Sequence, residues 1–200
     1  MRQMYRENVM FASEVRELVL GDLVLSVAYS IFLSQILSNG RNTLQLLIYL
    51  FPIALVAVSL SFILHELMHK FAAQHFGAFA AFKTSPTGLM ITIISPFLGL
   101  LFGIPGATYI YKQLTVKEDG YVSLAGPLTN FVVFGVFFSL GMLLYSGFPG
   151  QVISIFESSA QVLSNPYLEN MLDLTVFLSI YLAFYNMLPI MPLDGSKVLR

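Results

Sequence analysis

The sequence contains no cysteine, which excludes disulfides, thiolate nucleophiles and cysteine-based zinc sites together. Charge is almost as scarce. Lysine, arginine, aspartate and glutamate make up 10% of the 200 residues, against about 25% in a soluble domain. Ten Lys/Arg and eleven Asp/Glu cannot clothe a water-facing surface of this size, and their near balance, a net charge of −1, leaves no basic field for nucleic acid. Histidine is limited to three residues, so any metal bound here draws on a short list of imidazoles and carboxylates. Hydrocarbon fills the rest: 56% of residues are hydrophobic and the mean hydropathy is +0.77. Such a chain collapses instead of staying disordered, and a lipid bilayer is its natural solvent.

A spanning helix needs about 20 apolar residues, and four stretches supply them. The first is 17–37, preceded by a polar leader over 1–16 that is expected to lie at the interface. The apolar run is long and no small-residue cleavage pattern follows it, which argues against a cleaved signal peptide. Asp22, near its start, is expected to reach the headgroups. The second span opens at Thr43 after the polar loop Ser38–Asn42, carries no charge as far as Leu64 and continues as helix through Phe76, with Gly77 as its stop. Two more follow near 121–145 and 171–188. Between them, 146–170 reads as a loop containing Gly147, Pro149, Gly150 and Pro166. The fold class is therefore an all-α polytopic membrane protein, a single membrane-embedded domain over 1–200 with no soluble regulatory domain.

The apolar stretch 89–111 is broken by Pro96, Gly99, Gly103, Pro105 and Gly106, and the positive charges decide how to treat it. With a cytoplasmic N-terminus and only the four clear helices crossing, Arg2, Arg6, Arg16, Lys70, Lys83, Lys112, Lys117, Lys197 and Arg200 fall inside and Arg41 alone outside, a strong positive-inside bias. A single crossing by 89–111 would flip everything after it. The segment is therefore expected to enter and leave on one face, re-entrant or interfacial, beside protein or a wet cavity where irregular backbone is tolerated.

The chemistry concentrates in His65-Glu66-Leu67-Met68-His69. Residues four apart on a helix share a face, so both imidazoles can reach one zinc ion, and Glu66 is placed to take a proton from water there. A polar patch snorkelling at the helix end accounts for Lys70 and His75, but not for Glu66 directly after twenty-two uncharged residues. A catalytic zinc expects a third protein ligand. Asp194 is the best candidate: it follows a helix broken by Pro189 and Pro192, and counting spans puts it on the same membrane face as the histidines. Two carboxylates, Glu66 and Asp194, would also offset a divalent cation. Glu118 and Asp119 lie on that face too, but in a polar loop beside Lys117 where a solvated role is the plainer reading.

Three motifs together resemble the site-2 proteases, a family of intramembrane zinc metalloproteases: His65 through His69, Gly126-Pro127-Leu128-Thr129-Asn130, and the N-x-x-P-x-x-P-x-D-G pattern running from Asn186 through Asp194 to Gly195. Their order and placement on successive spans match over about residues 44 to 197, as a three-helix catalytic core. The resemblance implies one zinc ion held by His65, His69 and Asp194, and Glu66 as catalytic base. It implies Asn186 as a contact to the scissile carbonyl or substrate backbone, and Gly126 and Asn130 as close helix packing around the site. It also implies a membrane-protein or peptide substrate with a transmembrane segment, cut by an active site toward the cytoplasm. The chain departs from the pattern in carrying Asp194-Gly195-Ser196 for the usual Asp-Gly-Gly and Lys197 where many relatives carry arginine, and it ends six residues beyond Asp194 where relatives often continue. Two other classes compete: an inactive relative that binds transmembrane helices, and an ion or proton transporter, which would hold no tight zinc.

Overall fold

The computed structural model describes residues 12–38, 43–145, 148, 167–191 and 193–198. Four of its helices are long and apolar enough to cross a membrane. The first, α1 (Ala12–Ser38), already includes Glu14 and Arg16, so the helix begins five residues before the apolar run. Residues 1–11 lie outside the described residues.

The second crossing is one rod of 33 residues, Thr43–His75. It consists of α2 (Thr43–Val58), a π-helical turn at Ser59–Ile63 and α3 (Leu64–His75). Pro52 lies inside α2 without ending it, as membrane helices tolerate. The π turn widens the helix directly before the His65-to-His69 turn and re-aims the side chains after it. Gly77, at φ 70°, ends the rod as the sequence predicts.

The segment between the second and third crossings forms a hairpin. Strand β1 (Ala80–Thr84) leads into α4 (Pro86–Ile94), which is N-capped by Ser85 with proline in its first turn. A 3-10 turn (Ser95–Leu98) is closed by Gly99 at φ 72°. The chain returns as β2 (Gly106–Ile110), antiparallel to β1 with Phe82 opposite Thr108. Residues 106–110 thus return alongside residues 80–84. The helical fold class stands, with this two-stranded sheet as an addition that the broken apolar pattern did not reveal. Outward-facing N–H groups of β1 are satisfied by α1: Phe82 donates to Glu14 Oε1 at 3.2 Å and Thr84 to Glu17 Oε2 at 3.0 Å. Carboxylates take the place of a third strand there.

Glu14 also corrects the expectation for Lys70. That lysine does not snorkel to water; it is 1% exposed, and its Nζ lies 2.5 Å from Glu14 Oε2. Its charge is met there by the Glu14 carboxylate, which offsets part of the cost of taking the ammonium out of water. Asp22 likewise does not reach the headgroups: it is buried and accepts a hydrogen bond from Ser59 Oγ at 2.7 Å.

The third crossing, α5 (Val116–Leu144), starts five residues before the position read from hydropathy, because Thr115 and Glu118 form a capping box. The fourth is α6 (Tyr167–Asn186), followed by a turn and the short α7 (Gly195–Val198). Helix α5 packs against both α3 and α6, while a cluster including Leu25, Tyr29, Leu50, Ala57, Phe62 and Leu178 joins α1, the long rod and α6. Of the loop expected at 146–170, residues 167–170 belong to α6 and Phe148 packs against Gly141; the remainder lies outside the described residues.

Candidate metal centre

Histidines 65 and 69 lie one turn apart on α3, both buried, with their Nε2 atoms 3.0 Å apart. The turn after α6 brings Asp194 across the bundle, its Oδ2 3.3 Å from His65 Nε2 and 3.2 Å from His69 Nε2. Among the described residues these three form the group able to hold a metal ion, with one ligand atom from each inside a 4.8 Å span. Four ligands at 2.0–2.1 Å in a tetrahedron stand about 3.3 Å from one another, so the observed separations fit the edges of a zinc coordination shell.

Hydrogen bonding on the far side of each ring settles what the near side can offer. His69 Nδ1 is 2.7 Å from the Val122 carbonyl. A carbonyl only accepts, so Nδ1 carries the hydrogen and Nε2 presents its lone pair to the centre. His65 Nδ1 lies 3.1 Å from the side-chain amide of Asn130, which is fully buried. For a metal-binding His65, that nitrogen also donates, and the amide meets it with its oxygen; rotation of the amide exchanges its two ends. Val122 and Asn130 are both on α5, eight residues apart, and Gly126 sits midway. A Cβ on Gly126 would stand 2.4 Å from His69 Nε2 and 2.6 Å from His65 Nε2. One face of α5 therefore supplies an acceptor, a gap and an amide on successive turns, and the gap faces the converging nitrogens.

Asp194 is set by a tight turn. A Cβ on the next residue, Gly195, would fall 2.2 Å from the Met187 carbonyl oxygen, so only glycine lets the chain double back on the end of α6. Ser196, the departure from the usual glycine, is accommodated by a hydrogen bond from its Oγ to the Leu193 carbonyl at 2.7 Å. Burial works to raise the Asp194 carboxyl, and hydrogen bonds donated by His65 and His69 in their protonated forms outweigh it, holding it well below the ordinary carboxylate range; zinc on the unprotonated Nε2 atoms would stabilise the carboxylate in place of those hydrogens. It is an anion ready for a cation. Glu118 and Asp119 are engaged elsewhere, the first in the α5 capping box and the second 3.8 Å from Lys197 Nζ. His75 stands exposed at the end of α3, edge-on to Phe76.

A cavity of about 320 Å³ opens beside the three ligands and is lined also by Glu66, Tyr185, Asn186 and the β2 residues Ala107 to Ile110. Asn186 ends α6 half-buried. Glu66 is half-buried, and its Oε2 accepts a hydrogen bond from Thr108 Oγ1 at 2.8 Å. Thr108 is absent from the sequence reading: a threonine in a five-residue strand carries no chemical signature, and its partner is 42 positions away.

Fold and site together define a helical membrane protein with two histidines and a carboxylate grouped so that they could hold a metal ion, flanked by a glutamate. The chain belongs to Peptidase family M50, whose family model matches residues 53–200, a region that holds all four of these residues. Over 155 residues it is 39% identical to the "Putative zinc metalloprotease MJ0611" of Methanocaldococcus jannaschii, covering 76% of this chain and 72% of that protein. It is 25% identical over 162 residues to the "Putative zinc metalloprotease YwhC" of Bacillus subtilis, covering 76% of this chain and 69% of the relative. No solved structure matches. The chain is thus a zinc metalloprotease of the site-2 protease family, which displaces the transporter alternative.

Proposed function

We propose that this protein hydrolyses peptide bonds in or beside transmembrane segments of other membrane proteins, with its active site toward the cytoplasm. His65, His69 and Asp194 hold the zinc ion, Glu66 is the general base, and Asn186 contacts the scissile carbonyl or the adjoining substrate backbone. The observation that carries this reading is the site's place within the spans. His65 and His69 are ten and six residues from the end of a membrane-length rod, about 15 and 9 Å along its axis, and they open on a cavity between helices.

When bound, zinc supplies Lewis-acid polarisation of water and of a peptide carbonyl. The residues do the rest. Glu66 takes the proton of the attacking water and returns it to the leaving amine. Asn186 offers an amide donor where negative charge develops on the carbonyl oxygen. Helical substrate has its backbone groups bonded internally, so it must unwind before attack, and the β1–β2 hairpin walls the cavity that receives the unwound stretch.

Glu66→Gln keeps the ligands and removes the base. Cleavage of a labelled transmembrane substrate should disappear while zinc content stays at the wild-type level; turnover at the wild-type rate would remove Glu66 from this role. A wild-type protein that binds such a helix and never cuts it would identify the inactive-relative class instead. The orientation has its own test, made simple by a cysteine-free background. Single cysteines at Ser85 or Thr115 should label only from the cytoplasmic side, and external labelling there would reverse the topology.

A further inference from the structure

We infer that Thr108 is the positioning residue for Glu66, fixing which carboxylate oxygen acts as the base. The inference rests on the reading of Glu66 given above. Thr108 Oγ1 has one hydrogen to give. Two acceptors on the same residue lie in reach, Glu66 Oε2 at 2.8 Å and the Glu66 backbone carbonyl at 3.2 Å. The carboxylate is the nearer and carries charge, which makes it the stronger partner. A carboxylate held at Oε2 from the hairpin side cannot swing about its last torsion, a soft two-fold rotation when unrestrained. Oε1 is left as the working oxygen.

The strand that brings Thr108 is itself tied down. Gly106 allows β2 to close on β1, since a Cβ there would meet the Lys83 carbonyl oxygen at 2.3 Å. Opposite Thr108 stands Phe82, 2% exposed, edge-on to Phe62 of the long rod with ring centroids 5.5 Å apart. The Phe82 N–H is held by Glu14, whose other oxygen grips Lys70, the residue after His69. The hairpin is therefore referenced to the helix that carries both the ligands and the base. A hydroxyl delivered this way constrains Glu66 without touching zinc or its three ligands.

The test uses the full-length, zinc-loaded protein in detergent micelles, with dye-labelled unfolded casein as the probe substrate. Thr108→Val keeps the shape and loses the hydroxyl; Thr108→Ser keeps the hydroxyl. A positioned general base contributes about 10²- to 10⁴-fold, so losing the bond that orients it should cost part of that: kcat for Thr108→Val should fall about 10- to 100-fold with KM unchanged and zinc content equal to wild type. Thr108→Ser should retain at least half of wild-type kcat. A kcat for Thr108→Val within two-fold of wild type overturns the inference, as does an equal loss in Thr108→Ser or a parallel loss of zinc. Glu66→Gln run alongside separates the two readings: full activity in that variant sinks the base, whereas an inactive Glu66→Gln beside a wild-type Thr108→Val sinks the positioning role alone. A second arm needs no turnover and decides the case if casein is not cut. The Tm shifts of Thr108→Val and Glu66→Ala, measured by circular dichroism on the zinc-loaded protein, should be less than additive in the double variant because both remove one bond. Strictly additive shifts overturn it.

Discussion

Gly126→Ala is the substitution in which local and tertiary expectations differ most. On an isolated helix, alanine is better than glycine by about 1 kcal/mol, and Gly126 has no positive φ that would forbid a side chain. At this position the added Cβ would stand 2.4 Å from His69 Nε2, a full 1 Å inside the 3.4 Å of ordinary contact, and 2.6 Å from His65 Nε2. Neither ring can retreat freely, because Val122 and Asn130 hold them from behind. Withdrawing α5 does not help either, since both of those residues ride on it and their hydrogen bonds would stretch. Overpacking of this kind costs about 2–3 kcal/mol, which converts to about 30- to 140-fold. Because the clash falls on the ligating nitrogens, the loss should appear in zinc affinity more than in helix content. Competition with a chelator, read by elemental analysis, measures the first, and far-ultraviolet circular dichroism the second. Wild-type zinc affinity in Gly126→Ala would refute the close packing of α5 on the metal centre.

Two other perturbations follow from groups the structure pairs. Lys70→Met leaves Glu14 buried without its cation, and breaking a buried pair from one side costs about 3–5 kcal/mol; thermal melts should show that loss, and a Glu14→Gln/Lys70→Met double variant should recover much of it, whereas an unchanged melt in the single variant would remove the pair from the stability account. For pH, the folded Asp194 carboxyl lies below its unfolded value. Its contribution is therefore complete above about pH 4 and fades only as pH falls through the folded value. Asp194 should therefore take up no proton as pH falls from 7 to 5; a carboxyl band appearing in that range by infrared difference spectroscopy, and missing from Asp194→Asn, would contradict the lowered value.

The parts of the site legible in the sequence are those fixed by local geometry or by counting. Histidines four apart on a helix must share a face whatever surrounds them, and Glu66 stands out because twenty-two uncharged residues precede it. Asp194, 125 positions after His69, was reachable because each crossing reverses the membrane side, and four crossings return the chain to the face where it began. What escaped was pairing between distant short elements. The strands are five residues each and pair antiparallel at separations of 22 to 30 residues, so neither carries enough periodicity to be read alone. Lys70 reads as a snorkelling end residue because nothing local says that Glu14, 56 positions earlier, lies against it. Asp22 and Ser59 are separated by 37 positions in the same way. The departures at Ser196 and Lys197, visible in the sequence, acquire meaning only with their partners Leu193 and Asp119 in place.

The central claim is that Asp194 completes a zinc centre begun by His65 and His69, and metal analysis of purified protein tests it most directly. Wild type should carry one zinc per chain. Asp194→Ala leaves two imidazoles and should lose most of the metal, Asp194→His should retain part of it because imidazole binds zinc at similar lengths, and Glu118→Ala and Asp119→Ala should remain fully loaded. Full zinc occupancy in Asp194→Ala, together with loss in either of the other two alanine variants, would contradict the account and move the third ligand to the start of α5.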